Sequence, residues 1–190
     1  MTLLSDTIFG NGVSVPGGED IAVLTDSEGF PYYKGSTFKG VFREELERLL
    51  SLEGKSKEEI KKTANELLGE EGNDSDFGSL VFSDFMISDQ VKNKILENIE
   101  SYEGDKVYVV TEMFSNLRTF TRINEYGTAE KGSLRIARCV DKGISFFSEI
   151  SCPDDQKEKV LEVLKMIKWI GTMRNRGFGK VKITEVKGGQ

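Results

Sequence analysis

Histidine is missing from all 190 residues of the chain, and with it the side chain that most often acts as a general base near neutral pH or as a zinc ligand. Cysteine is nearly absent. Cys139 and Cys152 are the two thiols, too few for a structural zinc site. A hairpin turning at Asp141-Lys142-Gly143 would set Cys139 opposite about Ser145 and not Cys152, so no disulfide is expected, as suits a reducing cytoplasm. No apolar run approaches the roughly 18 residues of a membrane span, and residues 1–15 lack the basic start and apolar stretch of a secretory signal. The expectation is a soluble, cytoplasmic protein with no membrane partner.

Positive charge is also scarce, with 26 Lys and Arg against 32 Asp and Glu for a net charge of -6. Polyanion binding rests on cations that neutralise phosphates, so this balance speaks against a nucleic-acid partner until its distribution is read. Residues 44–78 hold eleven acids and five bases, while residues 171–190 hold five bases and one acid. An acidic lobe and a basic end describe the chain better than uniform acidity. The length accommodates one core, so a single domain over residues 1–190 is expected, with a small acidic helical insertion at about 51–78.

Residues 1–34 mix short apolar pieces with glycines and prolines and read as strand fragments joined by loops. Phe38, Phe42, Leu46 and Leu49 recur at helical spacing, predicting an amphipathic helix over 36–50 capped by Ser36 or Thr37. SKEEIKKTANELL (56–68) opens with a capping box and predicts a second helix. Further along, 80–87 reads as a strand, 90–99 as a helix and 106–113 as a strand rich in valine. Residues 118–123, 134–140 and 144–150 look like hairpin strands turning at glycines 127, 132 and 143. A helix over 157–169 and a closing strand over 180–186 complete an α+β pattern of the split βαβ, ferredoxin-like kind. In RRM modules such a sheet binds RNA through aromatics on its face.

Three stretches carry candidate chemistry. In GTMRNRGFGKVKI (171–183), Gly171, Gly177 and Gly179 permit positive φ and close approach, while Arg174, Asn175, Arg176 and Lys180 supply donors and charge. Such a loop can cradle a phosphodiester backbone, although the same residues also suit a turn with solvated arginines. In GFPYYKGSTFKGVFR (29–43), Ser36, Lys39 and Arg43 share one helix face beside an N-terminus that attracts anions. In GGEDIAVLTD (17–26), Glu19, Asp20 and Asp26 sit on a glycine-rich loop able to hold a divalent cation, or merely to form turns.

Together these residues resemble the RAMP superfamily of CRISPR effector subunits. PYYKGSTFKG (31–40) is similar to its proline-tyrosine, glycine-serine-serine, lysine-glycine segment, and GSLVFSD (78–84) to its short GxLxFSD strand. Residues 122–134 occupy the place of its RNA-contacting hairpin, flanked by Arg118 and Arg122, and GTMRNRGFGKV resembles its C-terminal glycine-rich loop. The resemblance implies a modified RRM fold with an inserted helical lobe and a β-hairpin. It also implies a backbone subunit of a type III complex whose partners are CRISPR RNA, target RNA, other effector subunits and copies of itself.

In type III subunits that cut target RNA, a loop aspartate precedes a second acid by six residues, and Asp20 and Asp26 match that pair. The implied chemistry is cleavage by attack of a ribose 2′-hydroxyl, with Asp20 holding a divalent metal, Mg or Mn, and Glu19 as the neighbouring candidate. Two other readings stay open. One is a binding-only subunit. The other is a guide-processing endoribonuclease in which Tyr32 or Tyr33 replaces the missing histidine.

Overall fold

The computed structural model describes residues 1–10, 19–72 and 78–186; Gly17, Gly18, Asp74 and Asp76 lie outside them. The chain runs β1 (Thr2–Leu3), α1 (Gly35–Leu52), α2 (Lys57–Leu68), β2 (Val81–Phe82), α3 (Asp89–Asn98) and α4 (Lys106–Phe114). It continues through β3 (Ser115–Phe120), β4 (Arg135–Val140), β5 (Ile150–Ser151), α5 (Lys157–Met166) and β6 (Val181–Lys182). Among the described residues no helix is long and apolar enough to cross a membrane.

β1 pairs antiparallel with β6, Thr2 opposite Lys182 and Leu3 opposite Val181. On its other side the N-terminal segment pairs through Thr2 with Ser145 and through Thr7 with Val140. β4 pairs antiparallel with β3, from Ser115 opposite Val140 to Phe120 opposite Arg135. The lateral order is therefore β6, the N-terminal segment, β4 and β3. The expected pairing of 134–140 with 144–150 does not form. The chain bends at Gly143, and both flanks of the bend pair with residues 2–7 instead. Cys139 lies opposite Asn116, and both cysteines are free thiols.

One face of this run packs against the helices. Phe38, Phe42 and Leu46 of α1 are buried in successive turns against Leu67 and Leu68 of α2, Val160 and Val163 of α5, and Leu3, Val140 and Phe146. Each such side chain contributes about 1.5–3 kcal/mol, several times what a surface ion pair adds to a helix, so packing holds α1 in place. On the other face lies a smaller cluster, with Ile8, Ala137 and Cys139 buried and Ile21, Phe120, Met173 and Phe178 packed over them.

Several sequence expectations change. Residues 106–113 form helix α4, not a strand. Asp105 accepts the Tyr108 N–H at 3.0 Å as a cap, and Val110 and Phe114, four apart, turn inward while Val107, Tyr108 and Met113 stay exposed. A cap and one-sided burial thus override the strand preference of the valines. Neither Ser36 nor Thr37 caps α1: the N-cap is Lys34, and the Gly35 N–H is taken by the Asp84 carboxylate at 2.8 Å. The 80–87 stretch pairs regularly only at Val81–Phe82, and the closing strand only at Val181–Lys182. Helix α5 ends at Met166, after which Ile167 and Ile170 are buried in extended chain. The capping box predicted at Ser56 and Glu59 is present in full.

Candidate nucleic-acid interface

The glycine-rich loop is pinned at its base and open at its tip. At the base, Ile170 N–H bonds to Gly179 O at 2.8 Å, and Gly179 N–H to Asp6 O at 2.9 Å. Gly179 has φ +82, and a Cβ there would stand 1.9 Å from Ile170 O, so this approach excludes any side chain. At the tip, Arg174–Arg176 make a single 3₁₀ turn bounded by left-handed Met173 (φ 56) and Gly177 (φ 88). Methionine in that conformation costs about 1–2 kcal/mol, offset here by packing of Met173 onto the small cluster. Arg174, Asn175, Arg176, Gly177 and Lys180 are all exposed.

Neighbouring side chains orient the tip. Arg176 lies over the Phe120 ring at 6.0 Å, and Phe120 meets Phe178 edge-on at 5.6 Å. Arg174 reaches Glu44 on α1 at 3.7 Å. Beneath it, burial pushes the Tyr33 hydroxyl up to about 12, helped by Glu44 and opposed by the Gly171 N–H that it accepts and by Arg174. Tyr33 therefore keeps its proton near neutral pH. Nearby, Arg118 bonds Asp6 at 2.6 Å, and Lys142 N–H donates to the same carboxylate at 3.2 Å. Burial raises the Asp6 pKa, but these donors outweigh it and hold the group below its ordinary value.

The middle of the sheet face is closed to stacking bases, because Ile8, Ala137 and Cys139 are buried there and none is aromatic. The aromatic-platform mode of an RRM is thus not available at this position. Beyond β3, residues 121–134 form an exposed hairpin held by the Ile123–Ala129 bridge and by Asn124, whose side chain accepts from Tyr126 N and Thr128 N at 3.0 Å. Arg122 pairs with Glu130 at 3.3 Å, and Tyr126 is exposed.

Ser36, Lys39 and Arg43 do share one face of α1, and that face opens on a cleft of about 650 Å³ also lined by Glu44, Glu47, Glu70 and Glu71. Arg43 donates to Gly69 O at 2.5 Å and to Asn65 Oδ1 at 3.2 Å, fastening the end of α2 to α1. Four carboxylates stand around the two cations of this cleft, which offsets its attraction for phosphate. Glu44, in the lining of this cleft, is also the α1 residue that meets the glycine-rich loop.

A family model settles the relationship. The model of the RAMP superfamily matches residues 1–182. This chain belongs to the RAMP superfamily. Two stretches that this RAMP chain carries, PYYKGSTFKG and GSLVFSD, prove to be two halves of one joint. A Cβ on Gly35 would stand 2.4 Å from Phe82 O and 2.6 Å from Ser83 O, so α1 can begin there only on glycine. Asp84, the last residue of the second stretch, then caps the first.

No curated protein matches the RAMP chain. Among solved structures it is similar to a chain of the type III-B Cmr-beta complex bound to cognate target RNA, determined by cryo-EM. That pair has a TM-score of 0.64 and 14% identity, covering 94% of this chain and 92% of the other. It is also similar to a chain of the apo Cmr-beta complex, with a TM-score of 0.68, 15% identity, and 98% and 95% covered. At these identities the likeness establishes a shared α+β fold.

The three candidate acids lie in different settings. Asp26 is committed: its Oδ1 accepts Phe30 N and Glu28 N at 3.0 Å, and its Oδ2 pairs with Lys92 at 2.6 Å. Glu19 is held by Arg138 at 2.5 Å. Asp20 is exposed and accepts only Ile136 N–H, on Oδ2 at 2.7 Å, among its described bonds. Among the described residues no three Asp, Glu, Cys or His side chains converge on one point. A hard cation such as Mg²⁺ is often held by one carboxylate plus substrate phosphates, and that is the donor set Asp20 can supply. Asp26 and Glu19 are each paired with a cation of the protein itself.

Proposed function

We propose that this chain is a guide-binding backbone subunit of a type III CRISPR effector, acting in the cytoplasm with CRISPR RNA, target RNA, other effector subunits and further copies of itself. Family membership supports the class. The similar Cmr-beta chains, one from a complex with target RNA, support the assembly, and the order β6, N-terminal segment, β4, β3 supports a modified RRM. The observation that carries RNA binding is the pinned loop with an open cationic tip. Arg174, Asn175 and Arg176 are exposed on a turn whose base cannot move without displacing Gly179 from Ile170. Phosphate oxygens would be bound by these side chains and by exposed main-chain amides. Arg118, Arg122 and Lys180 are further exposed cations within this reading, the first two paired with Asp6 and Glu130.

Within this reading Asp20 serves target cleavage. A divalent metal, Mg or Mn, would be held by Asp20 with phosphate oxygens of the RNA, and would polarise the phosphate for attack by the neighbouring 2′-hydroxyl. Asp20 itself is oriented by Ile136 and lies open to solvent. A binding-only subunit is the second reading, favoured by the fact that two of the three candidate acids are bound to cations of the protein itself. Co-expression with the other effector subunits tests the proposal: a particle holding a guide of uniform length is expected, and its Asp20→Ala version should retain the guide and protect the target uncut. Free protein without guide contradicts the assembly reading, and undiminished cutting by Asp20→Ala contradicts the catalytic one.

A further inference from the structure

Arg138 is the single buried charged residue among the described ones, 6% exposed. A guanidinium cannot shed its proton, so a buried one must be met by acceptors on every side. Its Nε and one terminal nitrogen both reach Glu19 Oε1 at 2.5 Å. The other terminal nitrogen bonds Glu112 on α4 and lies 3.2 Å from Ser115 Oγ on β3. The main chain of Arg138 meanwhile donates to Ile21 O at 3.0 Å. One residue thus grips the position before Asp20 with its side chain and the position after it with its backbone. Ile136 closes the fixture: its carbonyl accepts Asp20 N–H at 2.8 Å and its N–H reaches the Asp20 carboxylate at 2.7 Å.

We propose that Arg138 is a positioning residue that sets the Asp20 carboxylate through Glu19, and that Glu19 acts through Arg138 and not on the substrate. The inference rests on the reading of Asp20 as the residue serving cleavage. Glu112 and Ser115 fix the guanidinium from the far side, so the planar fork cannot rotate and its remaining donors point at Glu19. A lysine offers one compact charge on a flexible stem and cannot span Glu19 and Glu112 together. Burial makes the grip stiff, since Glu19 can leave only by stranding a charge that Glu112 alone then balances.

The test uses the full guide-loaded complex in single-turnover cleavage at saturating target. Arg138→Lys and Glu19→Gln should each slow cleavage by about tenfold to a hundredfold at unchanged target affinity. The double variant should be no slower than the slower single, because both changes open the same contact. Parental rates overturn the proposal, as does a double whose loss is the product of the singles, which would make Glu19 an independent participant. If Arg138→Lys does not assemble, Glu19→Gln carries the rate test alone. Hydrogen exchange at the Asp20 and Ile21 amides gives a readout independent of catalysis. Both donate to Ile136 O, and Glu19→Gln should speed their exchange, whereas parental exchange rejects the fixture. Should Asp20→Ala cut at the parental rate, the cleavage reading fails, and the exchange result still decides whether the grip exists.

Discussion

Arg174 at the tip of the glycine-rich loop stands 3.7 Å from Glu44 on helix α1. The loop and the first helix, more than a hundred residues apart in sequence, therefore meet at a charge pair where guide phosphates would arrive. Both partners are largely exposed, at 47% and 67%, so water screens the pair and it adds well under about 1 kcal/mol to stability. Its consequence lies in binding. On the guide-binding reading, Glu44 would compete with phosphate for Arg174 and add a negative charge beside the strand.

Glu44→Gln should accordingly leave the melting temperature where it is and tighten guide binding by a few-fold, about what one nearby charge contributes at moderate salt. Filter binding of the guide at two salt concentrations measures this. Unchanged or weakened binding would place the guide away from Arg174.

Two glycines of the loop should respond differently to the same substitution. Gly179→Ala drives a methyl group into Ile170 O at 1.9 Å with φ +82, and should lower stability by about 2–4 kcal/mol. Gly177→Ala meets open space at φ +88, so only the left-handed backbone penalty of about 1 kcal/mol applies. Denaturant midpoints of the two variants check the ordering, and equal losses would mean that the base of the loop is not pinned as described.

Asp6 predicts a pH dependence. Its folded pKa lies below the ordinary value of 3.8, so in acid the unfolded chain binds this proton before the folded one does. The stabilisation is fully present above the unfolded pKa and is lost as pH falls through the folded value. Asp6→Asn should remove this part of the acid sensitivity and leave a flatter stability profile below about pH 4. A profile parallel to that of the parent would show that the Arg118 contact does not persist in solution.

How much of this could be read beforehand follows from the range of the interactions. Phe38, Phe42, Leu46 and Leu49 announce α1 because helical spacing is local, and Ser56 with Glu59 announces α2 for the same reason. Val107, Val109 and Val110 mislead in α4, where an Asp105 cap and one-sided burial outweigh residue preference. The Asp84 cap on Gly35 spans 49 positions, and no local rule reports it. Ser36, Lys39 and Arg43 do line one face, but that Glu70 and Glu71 lie across from it depends on how α2 folds back. Arg138 reads as an ordinary strand residue until its burial and its two carboxylates are seen. Asp20, by contrast, is marked by the resemblance, and it is the candidate acid that the fold leaves exposed.

The most direct test is the salt dependence of guide binding for Arg174→Ala and Arg176→Ala in the assembled complex. Each phosphate contact to a single strand contributes about 0.7 to the slope of log affinity against log salt. The account predicts that each variant binds more weakly and lowers the slope by about that amount. A slope equal to the parent's in both variants would show that the loop tip does not touch the phosphates, and would contradict the guide-binding role assigned to it.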